Sequence, residues 1–379
     1  MTTTMTKSMV VKIQNVNVIL EGLKKVTGVV AKSSAIPILQ GVLVEIKKDH
    51  LLLTGSDGKT SVQTVCKPIE SDIEKSFVVS AKIFNDLLKK IPKQETTLEI
   101  KENSIVISSG KSTFTLNTFD ASDFLPRLSS IKLDKKLSLS GAEFAKALSS
   151  VVYAVSDLES RPILTGVLIQ SEGENITLTA TDSHRLARCI YTVTTVEEIP
   201  DIVIPGNAVK EMIRLMEGEE EVVIEVSENQ LQLKTEQLIF ATSLLDGTYP
   251  NVRNIIPVDF KYKCSVNKSE FEQVLDRNNI IAKDQKNHIT KIEMKNDSVP
   301  ALKISSKNES GQAEEELFTK DYIGEDLEFN INNKYLLDAV KTFIGKEVEI
   351  KANGALQPII LKPKETDNLF CLILPIRVY

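Results

Sequence analysis

The run Ser108–Thr113 reads Ser-Ser-Gly-Lys-Ser-Thr, the ending of a nucleotide-binding phosphate loop. Such a loop cradles phosphate oxygens on backbone amides; it needs another glycine five residues before the Gly-Lys pair and a helix after it. Here the earlier position is Ile105, and the residues that follow, 113–119, alternate as a strand. Gly110-Lys111 is therefore read as a hairpin turn. Asp182-Ser183-His184 sets an acid, a nucleophile and a base in a row. Three consecutive side chains on a strand or turn cannot form the nucleophile–base–orienter relay that a triad requires. His50, His184 and His288 lie far apart, and Cys66, Cys189, Cys264 and Cys371 offer no metal-ligand spacing and no CxxC pair. Glu314-Glu315-Glu316 reads as a solvated face. No enzyme chemistry, metal or cofactor is expected from these residues.

The elements that carry them are repeated. AIPILQGVLVEI, around Pro37, returns as SRPILTGVLIQS, around Pro162, and Leu53–Gly58 (LTGSDG) returns as Leu178–Ser183 (LTATDS). Val78–Ile91 matches Val203–Met216, which in turn matches Phe329–Phe343 in a more diverged third copy. The repeat is far longer than the roughly 20–50 residues of a solenoid unit, so the copies are three related domains. Asp57 stands where Asp182 stands, in a copy with neither the serine nor the histidine, so the aspartate is read as turn chemistry. Each copy divides into two halves of the form strand, helix, strand, strand, strand. In the first helix Val16, Ile19, Leu20, Leu23 and Val26 recur at helical spacing, whereas segments such as TTLEIKENSIVISS alternate with a period of two. The fold class expected is α+β, three times over, with antiparallel sheets and helices gathered on one face.

Composition excludes other classes. The 379 residues are 42% hydrophobic and 26% charged, which is globular rather than disordered. No apolar run approaches the ~20 residues of a membrane helix, and Lys12 and Gln14 interrupt the opening segment, so a cytoplasmic protein is expected. The net charge of −6 argues against adhesion to nucleic acid over the whole surface. Six candidate helices, 15–30, 81–92, 141–155, 206–216, 268–281 and 333–343, nevertheless carry +4 together, which leaves −10 on the rest. Lys24, Lys25, Lys89, Lys90, Lys146, Lys210, Arg214 and Lys341 fall off the apolar stripes, and an anionic polymer is the natural partner for such a shared surface.

Two stretches break the repeat: HRLA after the Thr-Asp turn of the middle copy, and the apolar tail LFCLILPIRVY. Pro375 lacks an amide donor, so the residues after it are expected to leave the sheet ladder or lie on an edge, with Ile376, Val378 and Tyr379 partly exposed as a partner site. Together with IPILQGV, SRPILTGV, LTATDSHRLAR, LLDGTYPNVRNIIP, AEEEL and INNKYLLDAVKTF, the closing LILPIRVY resembles the bacterial sliding clamps, the beta subunits of DNA polymerase III. The resemblance covers residues 9–379. Residues 1–8 lie outside it and are expected to be a disordered extension, followed by domains at 9–133, 134–258 and 259–379.

The resemblance implies a homodimer of three-domain chains, closed head to tail into a ring around duplex DNA. It implies that the ring tethers the replicative DNA polymerase, is loaded by a separate clamp loader, and has no catalysis of its own. It also implies a partner-peptide groove between the second and third domains. The matching positions are Leu164, Thr181, Ser183, His184, Arg185 and Leu186, then Pro250, Asn254 and Ile255, and finally Leu356, Pro358, Leu372, Leu374, Pro375, Ile376 and Arg377. Gln357 and Ile359 stand where family members often carry Arg and Phe, and Asn254 where some carry Arg, departures that bear on the groove's fine specificity. Phe114 and Leu116 of one chain are implied to face Ile280 and Ile281 of the next. The alternatives are a hydrolytic or nucleotide-dependent enzyme using Lys111 or Ser183, and a peptide-binding scaffold that never encircles DNA.

Overall fold

The computed structural model describes residues 9–71, 73–92, 95–124, 128, 135–193, 199–285 and 287–377. Among the described residues there are six α-helices: α1 (Asn17–Val26), α2 (Ala81–Lys90), α3 (Gly141–Val152), α4 (Gly206–Met216), α5 (Lys268–Ala282) and α6 (Asn333–Thr342). They fall where the sequence pattern puts them. The first is shorter than its apolar periodicity suggests, because the β-branched Thr27 and then Gly28 follow Val26, and both disfavour continuation. None is long and apolar enough to cross a membrane.

Each half-repeat is a strand, a helix and then a set of antiparallel strands, as the sequence implies. The leading strand of each half pairs with a strand of the other half of its repeat. Met9–Ile13 pairs with Thr96–Ile100, and Lys75–Ser80 pairs with Gly41–Ile46. The same exchange recurs between Lys135–Ser140 and Glu221–Val226, between Ile202–Pro205 and Gly166–Glu172, between Tyr262–Asn267 and Glu347–Ala352, and between Leu327–Asn332 and Ile289–Lys295. Sheets also run from one repeat into the next, through Thr60–Cys66 on Leu238–Ser243 and through Arg185–Thr192 on Leu369–Ile373. In consequence the chain forms two compact units whose division runs through the middle repeat. One comprises the described residues up to Gly141 with Arg214–Leu244; the other comprises Ala142–Ile213 with the described residues from Leu245 onward.

The first unit is built on a 13-stranded antiparallel sheet. Phe84, Leu88, Ile19, Leu23 and Val26, from α1 and α2, are fully or almost fully buried in its core. The helix lies close on the sheet because Gly22 and Gly55 leave room. A Cβ on Gly22 would sit 2.2 Å from Cys66 Sγ, and one on Gly55 would sit 2.3 Å from the Val26 carbonyl oxygen. The second unit holds a nine-stranded and a four-stranded antiparallel sheet, with Phe144, Phe271, Leu336 and Val340 among its buried helix residues. All four cysteines are buried free thiols.

Glu349, 4% exposed in the nine-stranded sheet, is ringed by ammonium groups. Lys263 stands at 2.6 Å, Lys351 at 2.8 Å and Lys362 at 3.4 Å from its carboxylate oxygens. Burial pushes the carboxyl up, but the three lysines outweigh it and hold the group down at about 2, against an ordinary value of 4.5. A depressed folded value means the stabilisation is complete above 4.5 and is lost as pH falls toward 2, at most about 3 kcal/mol. Glu349→Gln should therefore lower the thermal midpoint clearly at pH 6 and by much less at pH 3. A gap independent of pH would rule out this source of acid sensitivity.

Candidate partner groove and helix surface

The turn that carries the middle repeat's motif is built identically in the first. Asp57 Oδ1 accepts from the amides of Lys59 and Thr60 at 2.8 and 2.7 Å; Asp182 Oδ1 accepts from those of His184 and Arg185 at 2.8 and 2.9 Å. Ser56 and Thr181 hydroxyls donate to the Thr60 and Arg185 carbonyls. Gly58 (φ +90°) and Ser183 (φ +79°) occupy the left-handed position between them. The aspartate is turn chemistry, as read from the repeat, and the left-handed Ser183 and the exposed His184 stand on the turn's rim. Gly110 (φ +60°) opens the two-residue hairpin between Ser104–Ser109 and Ser112–Asp120, which accounts for the Gly-Lys pair without a phosphate. No metal-ligating cluster exists among the described residues.

The apolar tail divides at Ile373. Leu369–Ile373 is a buried strand, with Arg185 opposite Ile373 and Leu186 opposite Leu372. Beyond it the ladder stops: the Leu374 amide donates to the His184 carbonyl at 2.9 Å, and the Ile376 amide to the Asn330 carbonyl at 2.7 Å. Leu374 is 39% exposed, Pro375 and Ile376 are half-buried and Arg377 is exposed, while Val378 and Tyr379 lie outside the described residues.

Among the groove positions, Leu164, Thr181, Arg185, Leu186 and Leu372 are buried. Leu186 and Leu372 form a small core with Ile360, under Val252, Ile256 and Phe260, and so belong to the floor. The exposed positions are Ser183, His184, Pro250, Asn254, Ile255, Leu356, Leu374 and Arg377, with Pro358 half-buried. Leu356, Ile376 and Arg377 come together with Glu328 and Asn330 around a cleft of about 330 Å³. Pro250 lines a different cleft of about 500 Å³, shared with Leu168, Asp201, Tyr249 and Arg253.

Lys24, Lys89, Lys90, Lys146, Lys210 and Lys341 are exposed on their helices, and Lys25 is half-buried. Arg214 is half-buried, and its guanidinium donates to the carbonyls of Lys24 and Lys25 at 3.0 and 2.6 Å. It ties the last turn of α4 to the last turn of α1, satisfying carbonyls that the helix leaves open.

Two apolar strips lie at sheet edges. Among the described residues, 112–117 of the strand Ser112–Asp120 pair with Ser104–Ser109 on one side only, because the other side meets Lys75–Ser80 solely at 118–120. Phe114 is 37% exposed there and Leu116 half-buried. In the other unit Gly311–Phe318 is the edge of the four-stranded sheet, with Phe318 76% exposed. The neighbouring α5 presents Ile280 at 60% and a half-buried Ile281. Unpaired edges of this kind invite another strand.

Sequence reasoning missed the partners of Arg185. Its Nε donates to Asp182 Oδ2 at 3.0 Å, Nη1 to Asp338 Oδ2 at 2.7 Å and Nη2 to the Tyr153 carbonyl at 2.6 Å. The Tyr335 ring lies 4.3 Å from the guanidinium carbon. Tyr335 and Asp338 sit in the INNKYLLDAVKTF segment, and no spacing in the sequence links them to Arg185.

Three consecutive segments match family models: residues 9–129 the N-terminal domain of the DNA polymerase III beta subunit, 138–251 its central domain and 253–377 its C-terminal domain. The beta sliding clamp of Bacillus subtilis is 32% identical over 372 residues, spanning 95% of this chain and 98% of that protein. Its counterpart in Staphylococcus aureus is 33% identical over 359 residues, spanning 92% and 94%. Among solved structures, the DNA polymerase sliding clamp from Bacillus subtilis superposes with a TM-score of 0.92 at 31% identity, covering 98% of this chain and all of that one. The DNA polymerase III beta chain of Streptococcus pneumoniae gives 0.91 at 29% identity with the same coverage. Likeness along nearly the whole length, with three family segments in order, makes this chain a member of the DNA polymerase III beta subunit family, the beta sliding clamps.

Proposed function

We propose that the chain is a DNA sliding clamp: two copies join head to tail, encircle duplex DNA and hold a polymerase on it. The observation that carries this reading is the placement of the exposed cations. Six lysines stand on five helices of a chain whose remaining surface is acidic. Lysines on helix faces, aimed at phosphates without side chains that read bases, give contacts that are weak and indifferent to sequence. A ring held by topology needs no more, and contacts of this kind let it slide.

The joint pairs the open edge at 112–117, with Phe114 and Leu116, against the second chain's edge strand and its α5, with Ile280 and Ile281. The exposed edges and their apolar residues support this, since a second copy covers both at once. Tethering works through effective concentration: a polymerase bound to a ring that cannot leave the duplex stays near the primer end. The polymerase and other partners are held by a short peptide with apolar anchors, in the groove between the middle and third repeats that is edged by His184, Leu374 and Leu356. Pro250, in its own cleft, serves as a flanking contact. The clamp itself is a processivity factor without turnover, works in the cytoplasm where DNA is replicated, and relies on a separate loader to open it. Domain limits at 133/134 and 258/259 follow the repeat, whereas the two compact units divide within the middle repeat. Retention on circular DNA with release on linearisation is the test.

A further inference from the structure

A turn in which an Asp or Asn side chain accepts from the two amides at i+2 and i+3 occurs in all three repeats, but only one copy puts a charge through it. Three residues after the accepting side chain, where the middle repeat has Arg185, the first has Thr60 and the third has Gly311. Each of those turns closes without a cation. Asp57 receives the amides of Lys59 and Thr60, and Asn308 receives those of Ser310 and Gly311 at 2.8 and 2.9 Å. Thr60 spends its hydroxyl on Thr242 at 3.1 Å, a neutral bond across the sheet junction of the first and middle repeats. The turn therefore does not require Arg185, and neither does a sheet junction between repeats.

Arg185 is 6% exposed, which is an unusual place for a guanidinium unless it is fully paired. Its fork joins the turn, through Asp182, to α6, through Asp338, and to the chain after α3, through the Tyr153 carbonyl. The Tyr153 and Tyr335 rings lie 5.4 and 4.3 Å away. The same residue's backbone stands opposite Ile373, one step from the point where the tail leaves the ladder and Leu374 bonds to His184. All three guanidinium nitrogens already donate within the protein, and the side chain is buried, facing α6 rather than solvent.

We infer that Arg185 is a positioning residue of the partner groove rather than a contact to the peptide: it locks the rim at Ser183–His184 and the tail at Leu374–Ile376 to helix α6. The groove is then held ready before a partner arrives, which lowers the ordering cost of binding. This rests on the groove reading above. It sets Arg185 apart from His184 and Leu374, which remain as contacts.

The experiment uses the full-length dimer and a fluorescent synthetic peptide carrying the clamp-binding segment of a replicative polymerase. Its affinity is measured for wild type, Leu374→Asp, Arg185→Met, Asp338→Asn and the Arg185→Met/Asp338→Asn pair. Hydrogen exchange is followed at the Leu374 and Ile376 amides. Arg185→Met and Asp338→Asn should each weaken the peptide about tenfold, the pair little more than either alone, and both amides should exchange faster. Asp338→Asn keeps the shape of the site and preserves the test if Arg185→Met fails to fold. Wild-type affinity in Asp338→Asn, with binding lost only in Arg185→Met, would make Arg185 a direct contact and overturn the inference. Wild-type affinity in every Arg185 and Asp338 variant would also overturn it. If Leu374→Asp binds as wild type, the groove reading itself fails, and the inference falls with it.

Discussion

Ile280→Asp with Ile281→Asp should convert the dimer into monomers that no longer stay on circular DNA. Ile280 is 60% exposed on α5 and Ile281 half-buried, beside an edge strand with a free side, so neither is needed for the fold of its own unit. In the joint, both face the apolar side of the second chain, and two carboxylates there would lose hydration with no partner. Burying unpaired charge costs on the order of several kcal/mol for each group. A dimer joint cannot absorb that at micromolar concentration, where tenfold in affinity corresponds to about 1.4 kcal/mol. Sedimentation should show a single species near 42.1 kDa, and DNA retention should vanish while peptide binding persists. A dimer that survives the double substitution would place the joint elsewhere on the chain.

The second large effect is expected at Leu374. Its side chain is exposed just where the tail departs from the sheet, and its amide is held by His184. An apolar anchor seated against such a residue is the type of contact that dominates peptide affinity, at about 2 kcal/mol or more for each central position. Leu374→Asp should therefore raise the Kd of a partner peptide by about thirtyfold or more. Ring assembly and thermal midpoint should change little, because the residue is not in the core. Unchanged affinity would move the peptide site away from the tail, with the cleft lined by Tyr249 and Arg253 as the next place to probe.

Much of the architecture was legible because it is local and repeated. Helical spacing at Val16–Val26 and alternation at 96–109 produce the elements they suggest, and Asp57 against Asp182 identifies a turn from two copies of one motif. The exchange of leading strands was not legible. Met9–Ile13 could pair with any of several alternating segments, and its choice of Thr96–Ile100 is a long-range match of edges that no window of sequence encodes. The site shows the same division. Leu186 and Leu372 belong to the groove motifs, yet they face inward as its floor. Arg185 lies in the motif beside His184, but His184 stays on the turn's rim while Arg185 opens the strand Arg185–Thr192, buried, and reaches α6. Arg214 read as one more exposed cation, although its fork caps the end of α1, a role set by a contact 189 residues away.

The most direct measurement is of topology. The protein is loaded with a clamp loader onto a nicked circular DNA, free protein is removed, and the circle is cut once while bound protein is followed. A sliding ring should stay on the uncut circle and run off the ends once it is linear. Equal retention on both forms would mean direct adhesion to DNA, and would contradict the ring, the DNA-facing helices and tethering by topology together.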